Sequence, residues 1–83
     1  MVWFVYMIET ESGCLYTGIT TDIERRFSEH CSNKKGAKYF RMHPAKKIVF
    51  SEKYLDKSSA SKREFSIRKL SREQKMALLA APD

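Results

Sequence analysis

Cysteine, proline and glycine are scarce in this chain, at two, two and three among 83 residues. Two cysteines, Cys14 and Cys31, cannot build a disulfide scaffold, and neither belongs to a Cys-x-x-Cys pair of the kind that holds structural zinc or does redox work. Free thiols in a reducing, cytoplasmic compartment are the expectation. No repeat and no low-complexity linker divides the chain, and its length allows one domain, residues 1–83. Long hydrophobic runs are also missing. Val2 to Ile8 is too short to cross a bilayer and has neither a basic leader nor a small-residue cleavage site, so no membrane partner and no export signal are expected. Disorder is excluded by a composition that is 42% hydrophobic and 12% aromatic.

What the chain has in excess is positive charge: 16 Lys and Arg against 10 Asp and Glu, a formal charge of +6. The excess is unevenly placed. Residues 1–33 hold two basic and five acidic residues, whereas residues 34–83 hold fourteen basic and five acidic. A polyanionic partner would meet the second part.

Val2-Trp3-Phe4-Val5-Tyr6-Met7-Ile8 is continuous, β-branched and aromatic, which predicts a central strand covered on both faces. Glu9 to Gly13 reads as a hairpin loop, and Cys14 to Thr20 as the return strand, with Gly18 marking a bend or a close approach. Pairing Ile8 with Cys14, or Glu9 with Gly13, would set Tyr6 directly opposite Tyr16, and this facing register is expected. Thr21-x-x-Glu24 has the form of a capping box, so a helix should start near Asp22 and run to about residues 31–33, with Ile23 and Phe27 inward and Arg26 and His30 one turn apart. Lys34 to Pro44 reads as a basic loop with room for a short helical turn. Lys46 to Leu55 predicts a third strand. Asp56 or Ser58 should cap a helix to about Leu70, and Ser71-x-x-Gln74 a last one. The order β-β-α-β-α-α implies a small sheet packed by helices, an α+β domain.

Four features could carry chemistry: Tyr6, Tyr16 within Leu15-Tyr16-Thr17-Gly18, the Arg26 and His30 pair, and Glu64. Taken singly, each has an ordinary reading as cross-strand packing, a solvated helix face or a surface ion pair. Glu64 has Ala60 and Ile67 about one turn to either side, which places its carboxylate at the edge of an apolar stripe. Together the four are the parts of metal-assisted phosphodiester cleavage: a carboxylate for a hard divalent ion, a fixed cation for the developing charge, and titratable donors for water and leaving oxygen.

The runs Val5-Tyr6-Met7, Leu15-Tyr16-Thr17-Gly18, Asp22 through His30, Gly36-Ala37-Lys38-Tyr39 and Arg63-Glu64 resemble the GIY-YIG nuclease superfamily, and within it the small stand-alone members called YhbQ-like. Phe4-Val5 stands where the name-giving motif has Gly-Ile, and Thr17 where it has isoleucine. The resemblance implies a three-stranded antiparallel sheet flanked by helices. It implies an endonuclease that hydrolyses phosphodiester bonds in DNA, branched, nicked or damaged, in repair or recombination. By position it assigns catalytic roles to Tyr6, Tyr16, Arg26, His30 and Glu64, with Glu64 also the ligand of one Mg²⁺ or Mn²⁺. Tyr6 is favoured as the base, with Tyr16 and His30 positioning water and phosphate and His30 available as a proton relay. Lys34, Lys35, Lys38, Tyr39, Arg41 and Lys46, with Lys47, would form the nucleic-acid-facing edge, and RNA stays open as a substrate. The DNA-targeting module that larger members attach to this domain is missing, which leaves room for a protein partner. Two other readings remain: a nucleic-acid-binding module with little or no cleavage of its own, and a protein-interaction domain.

Overall fold

A computed structural model describes residues 1–32 and 35–80. Three strands, β1 (Trp3–Thr10), β2 (Leu15–Thr20) and β3 (Ala45–Tyr54), form an antiparallel sheet in the order β2-β1-β3. The continuous apolar strand is therefore the middle one, as its composition requires. Helices α1 (Ile23–Ser32) and α2 (Tyr39–Met42) lie between β2 and β3, and α3 (Lys57–Arg68) and α4 (Arg72–Ala80) follow. The short α2 is the one element added to the expected order; it occupies the basic loop.

Alternation along β1 divides the interior into two halves. Val5 and Met7 face one side, where they pack with Ala60 and Ile67 of α3 and are joined by Leu78 and Leu79 of α4. Tyr6 and Ile8 face the other, where Phe40 of α2 covers them and Ile23 and Phe27 of α1 flank. All four β1 residues are 2% exposed or less, so a side chain on either face is held from every direction.

The register between β1 and β2 differs from the expected one by two residues: Tyr6 pairs with Gly18, and Ile8 with Tyr16. The turn explains the shift. Gly13 N–H donates to the Thr10 carbonyl, Gly13 itself takes φ +86°, and Thr10 N–H donates to the Cys14 carbonyl, which closes a three-residue hairpin loop over 11–13. Gly13 thus belongs to the turn and cannot serve as a strand partner for Glu9. A slip of two preserves the face, so the phenols remain on one side as diagonal neighbours, ring centroids 6.4 Å apart.

The start of α1 is capped one residue later than the Thr21 box implies: Asp22 Oδ1 accepts from Arg25 N–H at 3.0 Å, while Thr20 Oγ1 accepts from Asp22 N–H. Asp56 caps α3 by accepting from Ser59 N–H, and Ser71 and Gln74 form the reciprocal box that opens α4. Against β1, strand β3 slips twice, between Met7 and Ile8 and between Glu9 and Thr10, with Lys46 at the second irregularity.

Candidate functional site

Tyr6 stands at the centre of the second interior half, 2% exposed, with its ring laid across the space where Gly18 has no side chain. Its hydroxyl is 2.9 Å from His30 Nε2. The other imidazole nitrogen fixes the proton inventory. Ala37 N–H donates to His30 Nδ1 at 3.0 Å, so Nδ1 is the acceptor and the neutral ring carries its proton on Nε2, from which it donates to the Tyr6 oxygen. Burial, reinforced by the Arg26 guanidinium, pushes the His30 pKa down to about 4 and keeps the ring neutral.

Gly36 makes that arrangement reachable: a Cβ there would stand 2.5 Å from His30 Cα and 2.7 Å from the Glu29 carbonyl oxygen. The loop can therefore lie directly on the end of α1 and aim the Ala37 amide at the imidazole. Phe40 seals the arrangement, its ring 4.4 Å from His30 and 4.7 Å from Tyr16 between centroids.

Arg26, one turn before His30, donates through Nη1 to Glu29 Oε1 at 2.9 Å and to the Lys35 carbonyl at 2.8 Å. Partial burial works against its charge, but Glu29 and the Tyr6 hydroxyl outweigh it and hold the guanidinium firmly protonated. Tyr6 itself is pushed up to about 12, first by burial and then by Tyr16, with the nearby Glu64 charge adding to the effect and Arg26 opposing it. The phenol is thus protonated in the unliganded protein.

Glu64 approaches from α3, close enough to Tyr6 for its charge to be felt there. It is half-buried, and among the described residues no hydrogen bond or ion pair engages it. Its neighbour Arg63 is bound to Glu52 instead, at 2.8 Å and 3.3 Å. A half-buried carboxylate left unpaired in a chain of net charge +6 has the chemistry of a site for a hard cation. Among the described residues no cluster of three His, Cys, Asp or Glu side chains surrounds it. That donor set fits an ion of the Mg²⁺ type, which binds through one carboxylate and takes its other ligands from water and substrate phosphate.

The structure therefore brings Tyr6, Tyr16, Arg26 and His30 together, and Glu64 of α3 lies near enough for its charge to act on Tyr6. A relay through His30 requires an open acceptor nitrogen, and Nδ1 is already taken by the Ala37 amide, so the ring acts on Tyr6 as a donor. The basic edge is less uniform. Lys35, Lys38, Arg41, Lys46 and Lys47 are exposed, Lys47 lies 3.8 Å from Glu9, and Lys34 falls outside the described residues. Tyr39 is half-buried, stacked on His43 at 4.7 Å and beside Tyr16 at 5.5 Å. Sequence reasoning missed Phe40 and the backbone of Gly36 and Ala37. A glycine set between a helix and a basic run was the available signal of close approach.

A three-stranded antiparallel sheet carrying two tyrosines, an arginine–histidine pair on the first helix and a glutamate on a later one defines a nuclease-type catalytic domain. The profile of the GIY-YIG catalytic domain matches residues 2–77, and the chain belongs to that family. It is 47% identical over 81 residues to a UPF0213 protein of Desulfotalea psychrophila, covering 98% of this chain and 74% of that one. It is 45% identical over 78 residues to the UPF0213 protein YhbQ of Escherichia coli K12, covering 94% and 77% of the two chains. The solution NMR structure of a UPF0213 protein from Bacillus halodurans superposes with a TM-score of 0.61 at 38% identity, over 96% of this chain and 84% of that one. Its relatives are the YhbQ-like members of the superfamily, and nucleases of this superfamily generally depend on divalent metal ions.

Proposed function

We propose that the protein is an endonuclease that hydrolyses phosphodiester bonds in DNA with one divalent ion, Mg²⁺ or Mn²⁺, held by Glu64. Branched, nicked or damaged DNA of repair or recombination is the substrate, and the cytoplasm the location. The observation that carries this reading is the unpaired Glu64 carboxylate beside the hydrogen-bonded Tyr6–His30 pair and Arg26. When bound, the ion supplies positive charge to the scissile phosphate and the leaving 3′-oxygen.

Arg26 stabilises the charge that develops on the phosphoryl oxygens; anchoring to Glu29 and the Lys35 carbonyl holds it in place before substrate arrives. Tyr6 takes the proton of the attacking water. Its own proton first passes to solvent water, since His30 Nε2 already carries one, and the two groups that favour the resulting phenolate, His30 Nε2–H and the Arg26 charge, already face it. Tyr16 packs edge-on against His30 at 5.5 Å and positions water and phosphate on the same face. Lys35, Lys38, Arg41, Lys46 and Lys47 contact the phosphate backbone without reading sequence, and targeting falls to a protein partner.

The test is cleavage of labelled single-stranded, duplex and branched DNA with Mg²⁺ or Mn²⁺, beside Glu64→Ala and an EDTA control. Metal-dependent nicking that disappears in the variant is expected. If wild type and variant are equally inert yet bind DNA with a steep salt dependence, the nuclease reading fails and the protein is a binding module.

A further inference from the structure

A cavity of about 330 Å³ opens at the free edge of β2, lined by Leu15, Tyr16, Thr17, Tyr39, Arg68 and Lys75. None of its charged members belongs to the proposed catalytic set, and two features of it point to one kind of occupant. Arg68 and Lys75, from two different helices, converge on it, and among the described residues no carboxylate pairs with either. This is so although Arg68 stands four residues after Glu64 on α3, the spacing and order that favour an ion pair on a helix. Two unpaired cations sharing a concave site repel one another until an anion is placed between them.

The aromatic wall supplies the second feature. Tyr16 and Tyr39 lie 5.5 Å apart between centroids, tilted by 31°, and present ring surface to the same space. Charge for a phosphate and a ring for a base suit a nucleotide, and a cavity of this volume takes one nucleotide but no base pair.

Position ties the cavity to the reaction. Tyr16 belongs both to its wall and to the catalytic cluster, 6.4 Å from Tyr6. Arg68 is about 6 Å beyond Glu64 along the helix axis, the scale of one step along an extended strand. Resting on the nuclease reading above, we propose that this cavity holds one unpaired nucleotide next to the scissile phosphodiester. Its phosphate lies between Arg68 and Lys75 and its base against Tyr39. The enzyme then prefers substrates that offer single-stranded character beside the cut, such as flaps, gaps and branch points.

The test is fluorescence anisotropy of the full-length protein with a short labelled oligothymidylate and with a blunt duplex of equal length, in EDTA so that cleavage does not enter. Arg68→Ala/Lys75→Ala is expected to weaken single-strand binding about tenfold or more and to flatten its salt slope by about 0.7, the value for one lost phosphate contact. Duplex binding should change by less than about threefold, as should single-strand binding by the charge-matched surface variant Lys53→Ala/Lys62→Ala. Tyr39→Phe should bind like wild type and Tyr39→Leu should not, since only the former keeps the ring. Circular dichroism confirms that each variant is folded.

Equal losses on both nucleic acids, an equal loss in the charge-matched variant, or unchanged single-strand binding each overturn the proposal. The nuclease reading fails separately, on the Glu64→Ala cleavage assay, because the binding result involves no metal and no turnover.

Discussion

Tyr6 and Gly18 are paired across β1 and β2, and a Cβ on Gly18 would stand 2.5 Å from the Tyr6 hydroxyl oxygen and 2.7 Å from the carbon that bears it. Tyr6 is packed on all sides and cannot swing aside, so Gly18→Ala must push the phenol off His30. The expected cost is about 1–3 kcal/mol of stability, read from urea denaturation. With Tyr6 as the proposed base, cleavage should fall by at least about tenfold.

Gly36→Ala should be worse for stability than Gly18→Ala. Here the obstacle is backbone, His30 Cα at 2.5 Å and the Glu29 carbonyl at 2.7 Å, and backbone inside a helix yields less than a ring. The loop would lift and Ala37 N–H would lose its 3.0 Å bond to Nδ1. A loss above about 2 kcal/mol is expected, together with an upfield shift and faster exchange of the Ala37 amide in NMR spectra.

His30 and Tyr6 should shape the pH dependence of stability from opposite ends. With a folded pKa of about 4 against an unfolded value of about 6.5, His30 costs nothing above that value. Between there and pH 4 the unfolded chain takes up a proton that the folded protein refuses, so stability falls as pH falls through the window. The loss is on the order of 2 kcal/mol. Tyr6, raised to about 12, contributes stability that is complete below about pH 10 and is lost as pH rises beyond it. Denaturation midpoints compared between wild type and His30→Gln across pH 4 to 7 check the acid limb; the difference between the two should shrink as pH falls.

Thr17→Val should stabilise the protein. Among the described residues the hydroxyl has no partner, and the residue is buried on the Met7 side of β2, so an isosteric apolar side chain removes an unsatisfied group worth about 1 kcal/mol. Thermal unfolding measures the gain.

Much of this was legible in the chain. The unbroken run Val2 to Ile8 is a two-sided strand because both of its faces are covered, and Asp56 and Ser71 cap helices by a local rule that needs no tertiary information. The candidate site residues could be picked out through their resemblance to a family pattern and through helical spacing, which put His30 one turn after Arg26. The β1–β2 register was not, because it depends on whether Gly13 ends the turn or begins the strand, and only its left-handed φ of +86° decides that. The proton inventory of His30 was equally hidden. It rests on a backbone amide seven residues away, delivered by a loop whose composition advertises only charge. The cavity at the β2 edge joins residues from four elements, and no sequence spacing announces it.

The two-sided burial of β1 also governs how the protein comes apart. Tyr6 and Met7 are consecutive, yet one belongs to the half that holds the Tyr6–His30 pair and the other to the half roofed by α3 and α4. Neither half has a wall of its own. Loosening α4 should therefore be transmitted through the shared strand to the phenol, and activity and global folding should be lost in a single transition, with the β1 amides the last to exchange with solvent.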